Sequence, residues 1–176
     1  MIQYREVQAD EINRDLFKDF IRRQVVTKCW RKENGIWVIR EDPFTDDWSE
    51  SDYRILISCL RNTVQTGGFV YAAFYMDMLK GFVSAEAELF GEERKYVDLS
   101  SIHVSEDMRN HGIGTRLFLA AKEWAGKRGA DKLYISAHSA VESQAFYKKM
   151  GCTEAQICLP QHTKAEPYDC QLECNI

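Results

Sequence analysis

Apolar and polar residues alternate over Ile2–Val7, which predicts a first strand. Asp10 can cap a helix that carries Ile12, Leu16, Phe17, Phe20, Ile21 and Val25 at helical spacing. An unusual segment follows, from Cys29 to Trp48, rich in tryptophan and acidic residues. Ser49 or Ser51 can cap a second helix, with Tyr53, Leu56, Ile57, Leu60 and Val64 on one side and Gly67-Gly68 as its stop. Phe69–Met76 and Gly81–Phe90 predict a hairpin turned around Asp77–Lys80, and Tyr96–Val104 predicts another strand. That strand runs into Ser105–Thr115 and then a helix to about Arg128, whose apolar stripe is Ile113, Leu117, Ala121, Trp124 and Ala125. Lys132–Ala137 reads as a strand, Val141–Met150 as a helix stopped by Gly151, Thr153–Ile157 as a short strand and Tyr168–Cys174 as the last. The order β-α-α-β-β-β-α-β-α-β-β suits an α/β protein, a mixed sheet with helices on both faces.

Composition narrows the classes. A chain of 176 residues fits one domain, residues 1–176. The formal charge of −4 and the absence of a basic patch argue against a nucleic-acid reader. No apolar run approaches membrane-span length, and the charged start MIQYREVQADEINRD is no secretory leader, so the expected setting is the cytoplasm, with no membrane partner. The six cysteines form no CxxC pair and are expected as free thiols.

The chemistry concentrates in Arg109-Asn-His-Gly112-Ile-Gly114-Thr115. A helix start exposes unpaired amides and the positive end of the helix dipole, and phosphate binds there readily. Gly112 and Gly114 remove the Cβ atoms that would keep the backbone from a diphosphate. Arg109 adds charge and Thr115 a hydroxyl. The chain has no GxxxxGK[ST] string, and Gly112-Ile-Gly114 lacks the third glycine of the dinucleotide fingerprint. Taken alone, the short pattern fits a plain turn as well as a phosphate loop.

The surrounding residues decide more. Leu99-Ser-Ser-Ile102-His-Val104-Ser-Glu-Asp-Met-Arg109-Asn-His-Gly112-Ile-Gly114-Thr-Arg-Leu117 resembles the central motif of the GNAT N-acetyltransferase superfamily. Ala145-Phe146-Tyr147-Lys-Lys-Met-Gly151-Cys152 resembles the second motif, FYxxxGF, with Cys152 in place of the final Phe. The resemblance implies a mixed, mostly antiparallel sheet in which Tyr96–Val104 carries a bulge and splays from the parallel strand Lys132–Ala137. It also implies acetyl-CoA as co-substrate, with its pantetheine arm along the backbone of Ile102, His103 and Val104. The diphosphate would lie on Arg109, Asn110, His111, Gly112, Ile113, Gly114 and Thr115. No metal is implied, and a homodimer is compatible with the family. Relatives often place an asparagine near the start of the last helix, where this chain has Ala140 and Ser143.

Acetyl transfer to an amine requires loss of an ammonium proton, polarisation of the thioester carbonyl and protonation of the leaving thiolate. By resemblance Tyr147 is the candidate general acid, also in contact with the co-substrate; the other reading is an aromatic packing beside Phe146. Asp98, eleven residues before Arg109, is the candidate base, set against a solvated strand carboxylate. Glu86 and Glu88 are its rivals. In a regular strand His103 would face away from Asp98. His138 ends a strand near the expected cleft, as a structural residue or a ligand contact. Cys170, Leu172 and Cys174 share a face, which favours packing over metal binding.

Trp30, Trp37, Phe44 and Trp48, interleaved with Glu41, Asp42, Asp46, Asp47, Glu50 and Asp52, could hold a cationic acceptor by charge and ring faces. The alternative is core aromatics beside a solvated acidic loop. Trp30, Trp37, Trp48 and Glu86 are the expected acceptor contacts. The expected activity is N-acetylation of a small-molecule or peptide amine in a ternary complex. The alternatives are a protein N-terminal or lysine acetyltransferase and a non-catalytic acyl-CoA sensor.

Overall fold

The computed structural model describes residues 1–176. Strand β1 (Gln3–Glu6) is followed by a single 3-10 turn at Asp15–Phe17 and a long hairpin of β2 (Arg23–Glu33) and β3 (Ile36–Asp47). Then come α1 (Glu50–Gln65), β4 (Phe69–Tyr75), β5 (Met78–Phe90) and β6 (Tyr96–Val104). The C-terminal half is α2 (Ile113–Lys127), β7 (Lys132–Ala137), α3 (Val141–Lys149), β8 (Thr153–Glu154), α4 (Pro160–Ala165) and β9 (Cys170–Asn175). Seven strands form one sheet in the order β1-β4-β5-β6-β7-β9-β8, and β2-β3 stand apart as a two-stranded sheet. Only β6 and β7 run parallel. No helix is long and apolar enough to cross a membrane.

Each face of the sheet has its own core, because successive side chains of a strand point to opposite sides. Ala73, Val83, Ala85, Val97 and Leu99 face α2 and meet Ile113, Leu117, Phe118, Ala121 and Ala125. Val70, Ala72, Phe74 and Phe82 face the other way, against Tyr53 and Leu60 of α1. Ser49 caps α1 in a reciprocal box with Asp52, which stabilises its first turn by roughly 1 kcal/mol. Cys170, Leu172 and Cys174 are buried together in the α2-side core, as a packing face.

The expected first helix, Ile12 to Val25, does not form. Ile12, Phe17 and Phe20 are buried beneath α1 as the spacing demands, but from a 3-10 turn and loop. Beyond them the chain is already a strand: Val26 is buried while Val25 is exposed, the alternation of a hairpin arm. The segment from Cys29 to Trp48, to which the sequence pattern assigned no element, is most of that hairpin. Its turn is Asn34-Gly35, both with positive φ (50° and 79°), the geometry of a two-residue turn of type I′. A second such turn at Met76-Asp77 (51° and 60°) joins β4 to β5 earlier than the sequence suggested. Helix α4 was not anticipated.

Candidate functional site

The site begins where the parallel ladder ends. β6 pairs with β7 only at Tyr96, Val97 and Asp98; β7 stays paired with β9 on its other edge from Lys132 to Ala137, while β6 beyond Asp98 has no neighbour on that side. A bulge at Ser100 produces the divergence: Ser84 pairs with Ser101, yet Ala85 pairs with Leu99. The extra residue also reverses one expectation. His103 packs on Phe82, on the α1 side, where Asp98 also points, so the two share a face. Ile102 and Val104 pack into the α2-side core, as Val97 and Leu99 do.

The fork closes on the start of α2. Its flanking loop is tied down from the strand side. Ser105, fully buried, accepts from the Ile21 amide at 2.9 Å, and buried Lys80 donates to Asp107 at 2.7 Å. Asn110 (φ 63°) and Gly112 (φ 77°) are left-handed, alternating with ordinary backbone, and no side chain caps the helix. No amide from Asn110 to Thr115 finds an acceptor in the protein. Such a run of left- and right-handed residues forms a nest of donors suited to an anion. A Cβ at Gly112 would meet no protein atom within 4 Å, so the space in front of the amides is open. Arg109, Asn110, Gly112, Ile113, Gly114 and Thr115 line a cavity of about 610 Å³ with Ile102, His103, Val104 and Tyr147. His111 is exposed, its Nδ1 2.7 Å from the Arg109 carbonyl. Arg109 spends part of its guanidinium on the Arg23 carbonyl, 2.6 Å away. The nest, the open space before it and the unpaired edge of β6 fit a diphosphate with an extended arm.

A second cavity of about 710 Å³ occupies the fork. Ser100–His103 form one wall and Ile135, Ser136 and His138 of β7 and its end form the other. The β2-β3 hairpin closes the side with Gln24, Arg31, Asp42, Phe44 and Asp46. Tyr147 lies between the two cavities; its hydroxyl bonds to no protein group, and burial raises its pKa, followed by the charges of Cys152 and Asp169. His103 lines both cavities. Burial first, then Arg22 and Arg109, push its pKa down to about 3, so its ring is neutral. Ser143 lines both as well and accepts from Gln24 at 3.4 Å. Ala140 is buried at the start of α3, bridged to Cys29.

Acidic groups surround the fork. Asp46 pairs with buried Arg22 at 2.5 Å and Asp42 with Arg31 at 2.6 Å. Asp169 and Glu166 have no cationic partner, and burial raises both, Glu166 further through Asp169. A third cavity of about 570 Å³ lies beneath α1 and holds Asp98, Glu86 and His162. It shares Trp48, Asp52, Ser100, Ser101 and His103 with the fork. Glu86 takes the Thr63 hydroxyl at 2.9 Å and the Ser100 hydroxyl at 2.6 Å on one oxygen.

Of the expected acceptor contacts, Trp48 and Glu86 reach these cavities. Trp48 stands edge-on to His103 with centroids 4.8 Å apart, and Phe44 stands 5.6 Å from His138. The structure does not bring Trp30 and Trp37 to the fork. The Trp30 amide donates to the Ser139 carbonyl at 2.8 Å and its ring packs on the α2-side core. The Trp37 indole donates to Glu154 at 3.2 Å, beside Lys32. Their place near the hairpin turn is the reason: Trp30 on β2 and Trp37 on β3 both pack against the α2-side core. Sequence reasoning missed His162, Tyr168 and Asp169, which follow α3: His162 on α4 reaches the cavity beneath α1, and Tyr168 and Asp169 reach the fork. The Asn34-Gly35 turn signal would have exposed the hairpin.

Comparison with known proteins agrees with this geometry. The sequence model of the acetyltransferase (GNAT) family matches residues 33–152. An uncharacterized N-acetyltransferase of Methanocaldococcus jannaschii is 33% identical over 82 residues, which are 44% of this chain and 35% of that protein. The match thus spans about a third of that relative's length. Among solved structures, a protein of Bacillus anthracis provisionally assigned as a streptothricin acetyltransferase, in complex with acetyl coenzyme A, superposes with a TM-score of 0.74 at 15% identity, covering 100% of both chains. Nourseothricin acetyltransferase gives 0.68 at 18% identity over 98% of this chain and 95% of the other.

Proposed function

Because the chain belongs to the acetyltransferase (GNAT) family, we propose that it moves the acetyl group of acetyl-CoA to a primary amine of a small cationic molecule, by direct attack in a ternary complex. The observation that carries the proposal is the row of free amides from Asn110 to Thr115, set beside an unpaired strand edge, with Tyr147 lining both the loop cavity and the fork. Backbone donors at a helix start hold a diphosphate by charge and direction. The edge of β6 holds an amide-bearing arm as a neighbouring strand would. Bound there, the co-substrate supplies an activated acetyl thioester.

The chain's own residues then have three tasks. Tyr147 keeps its proton, since burial raises its pKa, and gives it to the sulfur as the thiolate departs. Asp98, beneath the fork, takes the ammonium proton, directly or through a water. Asp169 and Glu166 offer negative charge to a cation, and Trp48 and Tyr168, each with an arginine already over its ring, line the same cavity with aromatic surface. The hairpin wall favours a small acceptor over a protein lysine, which needs an open groove. The names of the structural neighbours, streptothricin and nourseothricin acetyltransferases, support trying streptothricin and nourseothricin first.

The test is release of free thiol from acetyl-CoA against a panel of amines, with peptides and lysine-bearing proteins included. Turnover is expected with a small di- or polycationic amine. Thiol release only with proteins would overturn the acceptor reading, and tight acetyl-CoA binding without thiol release from any amine would leave a sensor.

A further inference from the structure

The cavity beneath α1 contains a pairing the sequence does not suggest. His162 of α4 places Nε2 2.6 Å from Oδ2 of Asp98 on β6. Asp98 Oδ1 is buried and has no hydrogen-bond partner. A buried carboxylate oxygen without a donor is costly and uncommon, and Asp98 lines the cavity beneath α1, whose wall shares Trp48, Ser100, Ser101 and His103 with the fork. One oxygen of Asp98 is held and the other is left to act.

The imidazole is itself fixed. It stacks on the ring of Tyr134 with centroids 6.0 Å apart. The Tyr134 hydroxyl accepts from the Leu159 amide at 3.0 Å, at the residue that precedes α4. Tyr134 is also the residue opposite Asp98 in the parallel ladder. A single register pair therefore aligns both the carboxylate and the short helix that carries its partner. Aspartate has a shorter reach than glutamate, so its useful oxygen depends on how the other one is anchored.

We infer that His162 is a positioning residue that anchors Asp98 Oδ2 so that Oδ1 faces the acceptor amine as the base. The inference rests on the acyl-transfer reading above. The ammonium gives one proton to Oδ1, directly or through a water, and its freed electron pair forms the new N–C bond. The C–S bond breaks, and the thiolate takes the proton of Tyr147. The attacking nitrogen, still one proton too rich once the bond forms, gives that proton to solvent; solvent also takes the proton from Oδ1 and reprotonates Tyr147, so one proton is released per transfer. The groups that face His162 are Asp98 on β6, Asp169 ahead of β9, Glu86 on β5 and the Tyr134 ring on β7. The Asp98 bond raises the pKa of His162 above its usual value, against burial, and the charges of Asp98, Asp169 and Glu86 add to the rise. The pair with a neutral imidazole is therefore reached only as pH climbs through that raised value.

Two readouts test the inference. In the ligand-free protein, imidazole NMR should show His162 titrating above 6.5, and Asp98→Asn should bring it back toward that value. In turnover, the acid limb of kcat/KM should follow the wild-type His162 titration. His162→Gln, which keeps a donor, should move that limb to lower pH while retaining kcat within about threefold at alkaline pH. His162→Ala should lower kcat about tenfold with KM for acetyl-CoA unchanged. Gln and Ala variants with equal losses, or a limb that neither moves, would overturn the positioning role. A protein that transfers acetyl to no acceptor would instead sink the acyl-transfer reading, and the inference with it.

Discussion

The two sides of β6 are made of different materials. Toward α2 the site is backbone: a run of unpaired amides, two left-handed residues and an open strand edge. Toward α1 it is side chains brought in from five places: Trp48 after the hairpin, Glu86 on β5, Asp98 on β6, His162 on α4 and Asp169 before β9. The backbone half needs only that a helix begin at Gly112 with no capping side chain. The side-chain half needs the whole topology, including a 25-residue hairpin arm pair from Arg23 to Asp47. Diphosphate binding should thus tolerate most distant changes, while acceptor recognition should not.

The comparison can be broken most directly at Gly112. Gly112→Val forces a branched side chain into φ 77°, strain of about 1–3 kcal/mol, and puts its Cβ in the open space before the amides. The Kd for coenzyme A should rise about 100-fold or more by calorimetry, with circular dichroism retained. Unchanged affinity would remove the diphosphate from that loop. Tyr147→Phe should cut kcat about 100-fold and leave acetyl-CoA affinity within about threefold, since it removes only a proton donor. Equal losses in both would return Tyr147 to packing.

Smaller effects sharpen the acceptor side. Trp48→Ala should raise the acceptor KM about tenfold, while Trp37→Ala should leave kinetics within about twofold and cost about 1 kcal/mol of stability. The reverse pattern would restore Trp37 to the acceptor site. The smallest expected effect is on stability against pH. His162 has a raised folded pKa, so its stabilising contribution is complete below the unfolded value near 6.5 and lost as pH rises through the folded value. The melting temperature of wild type should therefore exceed that of Asp98→Asn by more at pH 6 than at pH 9.

Legibility followed the same division. The strands from Phe69 onward, α2 and α3 were readable because alternation, helical spacing and stopping glycines agree there. The candidate loop was readable because Arg109 to Thr115 are consecutive in sequence and their glycines precede and open α2. The segment from Ile12 to Val25 misled because burial beneath α1 needs only apolar residues at intervals, which an irregular chain also supplies. Asp98 and His103 share a face only because Ser100 is an extra residue in the ladder, and a bulge leaves little trace in a pattern of period two. His162 was invisible because it lies 64 residues from its partner on a six-residue helix.

The central claim is that the amides of Asn110–Thr115 hold a diphosphate. Amide NMR during titration with coenzyme A, and separately with pantetheine, which lacks the diphosphate, tests it most directly. Saturable shifts at residues 110–115 with coenzyme A and none there with pantetheine are predicted. Coenzyme A that binds without moving those amides, or pantetheine that moves them equally, would contradict it.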